Sequence, residues 1–110
     1  MIFMNKYSKV QKYNKLVRDN VPKIISDNGK NPKTHIANKK EYWTKLKEEL
    51  IEETKEFCED NKKEEIADIL EVIDTIYKFK KWNKKEILKI QKTKRKVQGS
   101  FNKRIILEKS

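Results

Sequence analysis

Between Asn38 and Lys81 the apolar side chains recur with a helical period, and this restricts the chain to a helical fold more than any other feature. Trp43, Leu46, Leu50 and Phe57 follow one another at spacings of three, four and seven, which puts them on one face of a helix. Ile66, Ile69, Leu70, Ile73, Ile76 and Tyr77 make a second, broader stripe. Between the stripes lies Asp60-Asn61-Lys62, room for a turn and no more. Two helices, one from Asn38 to about Asp60 and one from there to about Lys81, are therefore expected to run antiparallel and face each other.

The flanks add shorter elements. Asn20-Val21-Pro22 opens a short helix, with Asn20 as its cap, Pro22 tolerated in the first turn and Gly29 as a left-handed stop. Asn83 caps a fourth, strongly basic helix that runs to about Lys96 and ends near Gly99. Pro32 and the β-branched residues make 33–37 an extended segment. Arg104-Ile105-Ile106-Leu107 is also β-prone, and 33–37 and 103–108 are expected to pair as a short ribbon, which is marginal by itself. The expected fold is mainly all-α: antiparallel helices forming a four-helix-bundle type core. Residues 1–12 read as a loosely ordered arm and 13–110 as a single domain, since no repeat or linker composition divides them.

Composition bounds the rest. At 110 residues the chain suits one domain, and its 41% charged against 35% hydrophobic residues would suggest disorder were it not for the stripes. No stretch approaches the roughly 18 apolar residues of a membrane span, and Met1-Ile2-Phe3-Met4-Asn5-Lys6 lacks the apolar core of a secretory signal. A soluble, cytoplasmic protein without a membrane partner is expected. The single Cys58 and single His35 exclude an internal disulfide and the usual thiolate or imidazole zinc sites. Any metal must be held by oxygen.

The net charge of +11 is distributed unevenly. From Glu48 to Asp74 twelve acidic residues face three lysines, a balance of −9, and the rest of the chain carries +20. An acidic centre in a basic body suits a protein that holds a cation and, around it, a polyanion. Within the block, Glu48-Glu49-Leu50-Ile51-Glu52 has the form EExxE and Glu65-Ile66-Ala67-Asp68 the form ExxD. Glu49 and Glu52, and likewise Glu65 and Asp68, are one helical turn apart, so each pair can reach one ion. Antiparallel packing can bring the four carboxylates together beside an apolar floor. Like charges so placed repel, and burying them costs several kcal/mol unless a divalent cation neutralises them. Mg²⁺, or Mn²⁺, is the natural choice for hard oxygen ligands. Acidic residues are ordinary on solvated helix faces, but here they are not laced with lysine partners four residues on. Glu49, Glu53 and Glu56 hug the apolar edge equally well and stand as an alternative set.

The EExxE and ExxD pair on adjacent helices resembles the MazG-like all-α nucleoside triphosphate pyrophosphohydrolases, which include phosphoribosyl-ATP pyrophosphohydrolases. The run Tyr13-Asn14-Lys15-Leu16-Val17-Arg18-Asp19 is similar to the YxKLVRD opening of a short bacterial and phage branch of that group, and Gly99-Ser100-Phe101 with its basic, aliphatic tail echoes the branch's closing segment. The resemblance covers roughly residues 13 to 108. It implies hydrolysis of a nucleoside triphosphate between the α and β phosphates, with Mg²⁺ held by Glu49, Glu52, Glu65 and Asp68. It also implies a homodimer or higher homo-oligomer in which helices of two chains complete a four-helix bundle. Where the branch has Gly-Gly-Phe, Ser100 interrupts the motif here.

In such a reaction a carboxylate outside the ligand set orients the attacking water, and Glu48 and Glu71 are the candidates. Lys15, Arg18, Lys94 and Arg95 are the cations expected on the phosphates, Arg18 foremost because a guanidinium grips phosphate in a fork. Trp43 and Tyr77, at helical spacing, read as core. One rival reading is a helical nucleic-acid-binding module built on the basic fourth helix, disfavoured because the acidic block would repel a nucleic acid. Another is a non-catalytic relative that senses or sequesters a nucleotide.

Overall fold

The computed structural model describes residues 14–110; the arm expected over residues 1–12 lies outside them, as does Tyr13. The order is α1 (Val21–Asp27), α2 (Lys39–Asp60), α3 (Lys63–Lys80) and α4 (Lys84–Gln98). The protein is all-α, and α2 and α3 pack together as a helical hairpin.

Local chemistry sets the ends of these helices. The Asn38 side chain accepts from Glu41 N–H at 2.9 Å, and the Asn83 side chain accepts from Lys85 N–H at 2.8 Å, each satisfying an orphan donor of the first turn. Asn20, by contrast, makes no side-chain cap bond to α1. Asn61 ends α2 in the left-handed region at φ 56, a conformation asparagine tolerates better than most residues, and its N–H bonds Phe57 O at 2.8 Å. Gly99 ends α4 at φ 87, with its N–H on Arg95 O at 2.8 Å.

The chain divides into two compact units, one through Val72 and the other from Ile73 to Ser110, with the boundary inside α3. In the first unit the buried apolar residues are Val21, Leu46 and Val72, Leu46 being only 1% exposed; in the second Ile76 is buried. The α3 stripe is rotated from the expected one. Ile66 and Leu70 are 41% and 55% exposed, whereas Ile69, Val72, Ile73 and Ile76 turn inward. The Leu70 side of the expected stripe is the exposed side, and the side nearer Val72 is the covered one.

The expected ribbon does not form. Neither 33–37 nor 103–108 is a strand, and there is no strand among the described residues. Ile36, Ile105, Ile106 and Leu107 are exposed, so neither segment has the apolar layer that a two-stranded ribbon needs to be stable.

Candidate metal centre

Helix phase carries acidic groups into the hairpin seam. On α3 the inward line Ile69, Val72, Ile76 extends back by four residues to Glu65, and on α2 the line Leu46, Leu50, Phe57 has its intervening turn filled by Glu53. Glu53 is 3% exposed, deeper than any other polar residue described. Glu is almost never buried so far without compensation. One carboxylate oxygen from each of Glu53, Glu65 and Asp68 lies within 4.8 Å of the others. The site thus draws one side chain from α2 and two, a single turn apart, from α3.

The loop ahead of α1 supplies one cation to this cluster and another to neighbouring carboxylates of α2. Lys15 Nζ lies 2.8 Å from Glu52 Oε1 and 3.7 Å from Glu49 Oε2, and Arg18 Nη2 lies 2.7 Å from Asp68 Oδ1. The Val21 N–H to Arg18 O bond of 3.0 Å fixes the turn between this loop and the helix. Of the four expected ligands, then, Glu65 and Asp68 come together with Glu53, while Glu49 and Glu52 converge on Lys15. Glu48 is exposed and pairs with Lys45 at 3.1 Å, and Glu71 is exposed on α3. Lys94 and Arg95 are exposed on α4, within the second unit. His35 Nε2 sits 2.9 Å from Glu41 Oε1, and Cys58 is an exposed free thiol.

Burial raises the pKa of Glu65 above its ordinary 4.5, and the charges of Glu56, Asp68 and Asp60 raise it further, helped by a side-chain hydrogen bond with Asp60. Each cause disfavours the ionised form. A group held above its unfolded value binds its proton more tightly in the fold, so its contribution to stability is greatest below the unfolded value and declines as pH rises through the folded one. Without divalent cation, Glu65→Gln is accordingly expected to be more stable than the parent at pH 7 and to lose that advantage near pH 4. Thermal melts of both proteins in EDTA across this range check the sign; a variant less stable at pH 7 would contradict it.

The donor set fits a hard cation. Mg²⁺ holds oxygens at roughly 2.0–2.1 Å and Ca²⁺ at roughly 2.3–2.6 Å, so oxygens on opposite sides of an ion stand about 4 to 5 Å apart. The three carboxylate oxygens lie within 4.8 Å of one another, inside that limit, and oxygen is the donor such ions prefer. No family model, curated protein or solved structure matches the chain.

Proposed function

We propose that the protein is a metal-dependent nucleotide pyrophosphohydrolase that cleaves a nucleoside triphosphate, or a related nucleotide, between the α and β phosphates to give a monophosphate and pyrophosphate. The observation that carries this reading is the close approach of Glu53, Glu65 and Asp68 in the α2–α3 seam, with Arg18 on Asp68 and Lys15 on Glu52, the residue next to Glu53 in sequence. Glu53, Glu65 and Asp68 would hold Mg²⁺ or Mn²⁺. A bound ion supplies charge neutralisation for the phosphate oxygens and a more acidic water.

The side chains account for the remaining requirements. Arg18, at the rim on Asp68, is the group best suited to grip a phosphate, because its planar fork can exchange one oxyanion for another. Lys15 offers a point charge next to Glu49 and Glu52. Of the two candidates for orienting water, Glu71 is one turn beyond Asp68 on the same helix, whereas Glu48 is five residues from Glu53 and so on another face of α2. Glu71 is the better choice. Incubation with a panel of nucleoside triphosphates and Mg²⁺ tests the reading: pyrophosphate release from at least one supports it, and release from none, with the protein folded, contradicts it.

The same reading includes a homodimer or larger homo-oligomer. In the first unit Ile51 is 69% exposed, and Ile66 and Leu70 lie uncovered on α3. Few apolar residues are buried, and a helix bundle shared between copies would cover these. Light scattering at micromolar concentration is expected to give at least twice the 13.3 kDa chain mass; a stable monomer would contradict this.

A further inference from the structure

The second unit carries nearly all of the protein's net positive charge, +10 of +11. Residues 73–110 hold 13 basic and 3 acidic side chains, while 14–72 hold 12 basic and 14 acidic. On α4, Lys85, Lys89, Lys92 and Lys96 are spaced at four, three and four residues and all are exposed. At 100° per residue they fall within about 60° of arc, one above another along roughly 17 Å of helix. Like charges at i, i+4 destabilise a helix by about 0.2–0.5 kcal/mol per pair. The helix's one acid, Glu86, stands about 60° round the helix from Lys89, at one edge of this line. Such a stripe is complementary to a row of phosphates.

Aromatic surface accompanies it. At the N-terminal end of α4 an open groove of about 610 Å³ is lined by Tyr77 and Trp82 together with Lys78, Lys81 and Lys84, and by one acid, Asp74, which stands 3.9 Å from Lys84. Trp82 is half exposed, with Lys80 Nζ 5.8 Å from its ring centroid. Beyond the other end of the helix Phe101 is 98% exposed. Aromatic faces at both ends of a lysine line suit a single strand whose unpaired bases can stack. An anionic membrane surface fits less well. The apolar side of α4, Ile87, Ile90 and Val97, has Lys94 within about 20° of Ile87 at its centre, which spoils the continuous apolar face that an interfacial helix inserts.

We propose that α4 and its flanks bind single-stranded nucleic acid, with Lys85, Lys89, Lys92 and Lys96 tracking the phosphate backbone and Trp82 stacking on a base. The site uses none of the carboxylates of the candidate metal centre and needs no divalent ion. Three acids share the second unit with the strand, Asp74, Glu86 and Glu108, and thirteen basic residues outweigh them.

The test is fluorescence anisotropy of a labelled oligothymidylate with the full chain in EDTA. Four phosphate contacts predict a slope of log K against log salt of about −2.8, so binding should weaken about fifty-fold between 50 and 200 mM salt. The variant with Lys85, Lys89, Lys92 and Lys96 all changed to Gln should bind at least tenfold more weakly, and Trp82→Ala should weaken binding with little change in slope. Changing Lys33, Lys39, Lys40 and Lys63 to Gln removes the same charge elsewhere and should change affinity less than threefold. Equal losses from the two quadruple variants would overturn the proposal, because net charge alone would then explain binding. Absence of oligonucleotide binding would also overturn it, whether or not the protein binds anionic vesicles or self-associates through this helix. None of these outcomes depends on nucleotide hydrolysis.

Discussion

Glu53→Gln is expected to abolish the protein's response to divalent cations while leaving the chain folded. The amide keeps the shape of the side chain, now 3% exposed in the α2–α3 seam, and removes a charge that faces Glu65 and Asp68. Loss even of groups that merely support a ligand typically lowers metal affinity 10- to 100-fold; loss of a ligand is expected to lower it at least about 100-fold. Binding to the native state alone stabilises by RT ln(1 + [L]/Kd), so millimolar Mn²⁺ should raise the parent's Tm and leave the variant's unchanged. Without cation the variant should melt at or above the parent temperature, because one source of repulsion is gone. Calorimetric Mn²⁺ titration of both proteins checks this. Equal affinities would remove Glu53 from the centre, and an unfolded variant would make it a structural group.

Glu53 also shows how far such a site can be read from residues alone. The spacing of Leu46, Leu50 and Phe57 places α2 and its inward face correctly, and in that line the turn between Leu50 and Phe57 has no apolar occupant. Glu53 fills it. Reading EExxE as a motif draws attention to Glu49 and Glu52, whereas helix phase favours Glu53, which belonged to the alternative set with Glu49 and Glu56. Glu65 and Asp68 were legible because ExxD coincides with the inward edge of α3. The ion pairs of Lys15 and Arg18 were not, since they join residues 34 to 50 positions apart through a loop without periodicity. The strands expected at 33–37 and 103–108 rested on β-propensity, which mainly reports packing against a pleated, half-buried surface. Here Ile36 and Ile105-Ile106-Leu107 meet none.

Leu46→Ala should cause the largest loss of stability of any single truncation. Among the described residues Leu46 is the most deeply buried side chain, at 1% exposure, and only Val21 and Val72 are also buried among the described apolar residues of the first unit. A buried Leu→Ala change costs about 2–5 kcal/mol, against a total of roughly 5–15 kcal/mol for a typical domain. At about 4–8 °C per kcal/mol for a chain this small, Tm should fall by at least ~8 °C. The same truncation at Ile51, which is 69% exposed, should cost far less in dilute monomer and more where copies associate. Thermal melts at low and high protein concentration separate these cases. A Leu46→Ala variant within about 2 °C of the parent would mean that the α2–α3 seam does not hold the fold.

Cleavage is expected at the bond between the α and β phosphates. Nucleoside triphosphates incubated with the protein and Mg²⁺, with and without EDTA, and resolved by ³¹P NMR or ion-exchange chromatography test it most directly. The expected products are monophosphate and pyrophosphate in equal amounts, absent in EDTA and absent with Asp68→Asn. Diphosphate and orthophosphate, or hydrolysis that persists in EDTA, would contradict it.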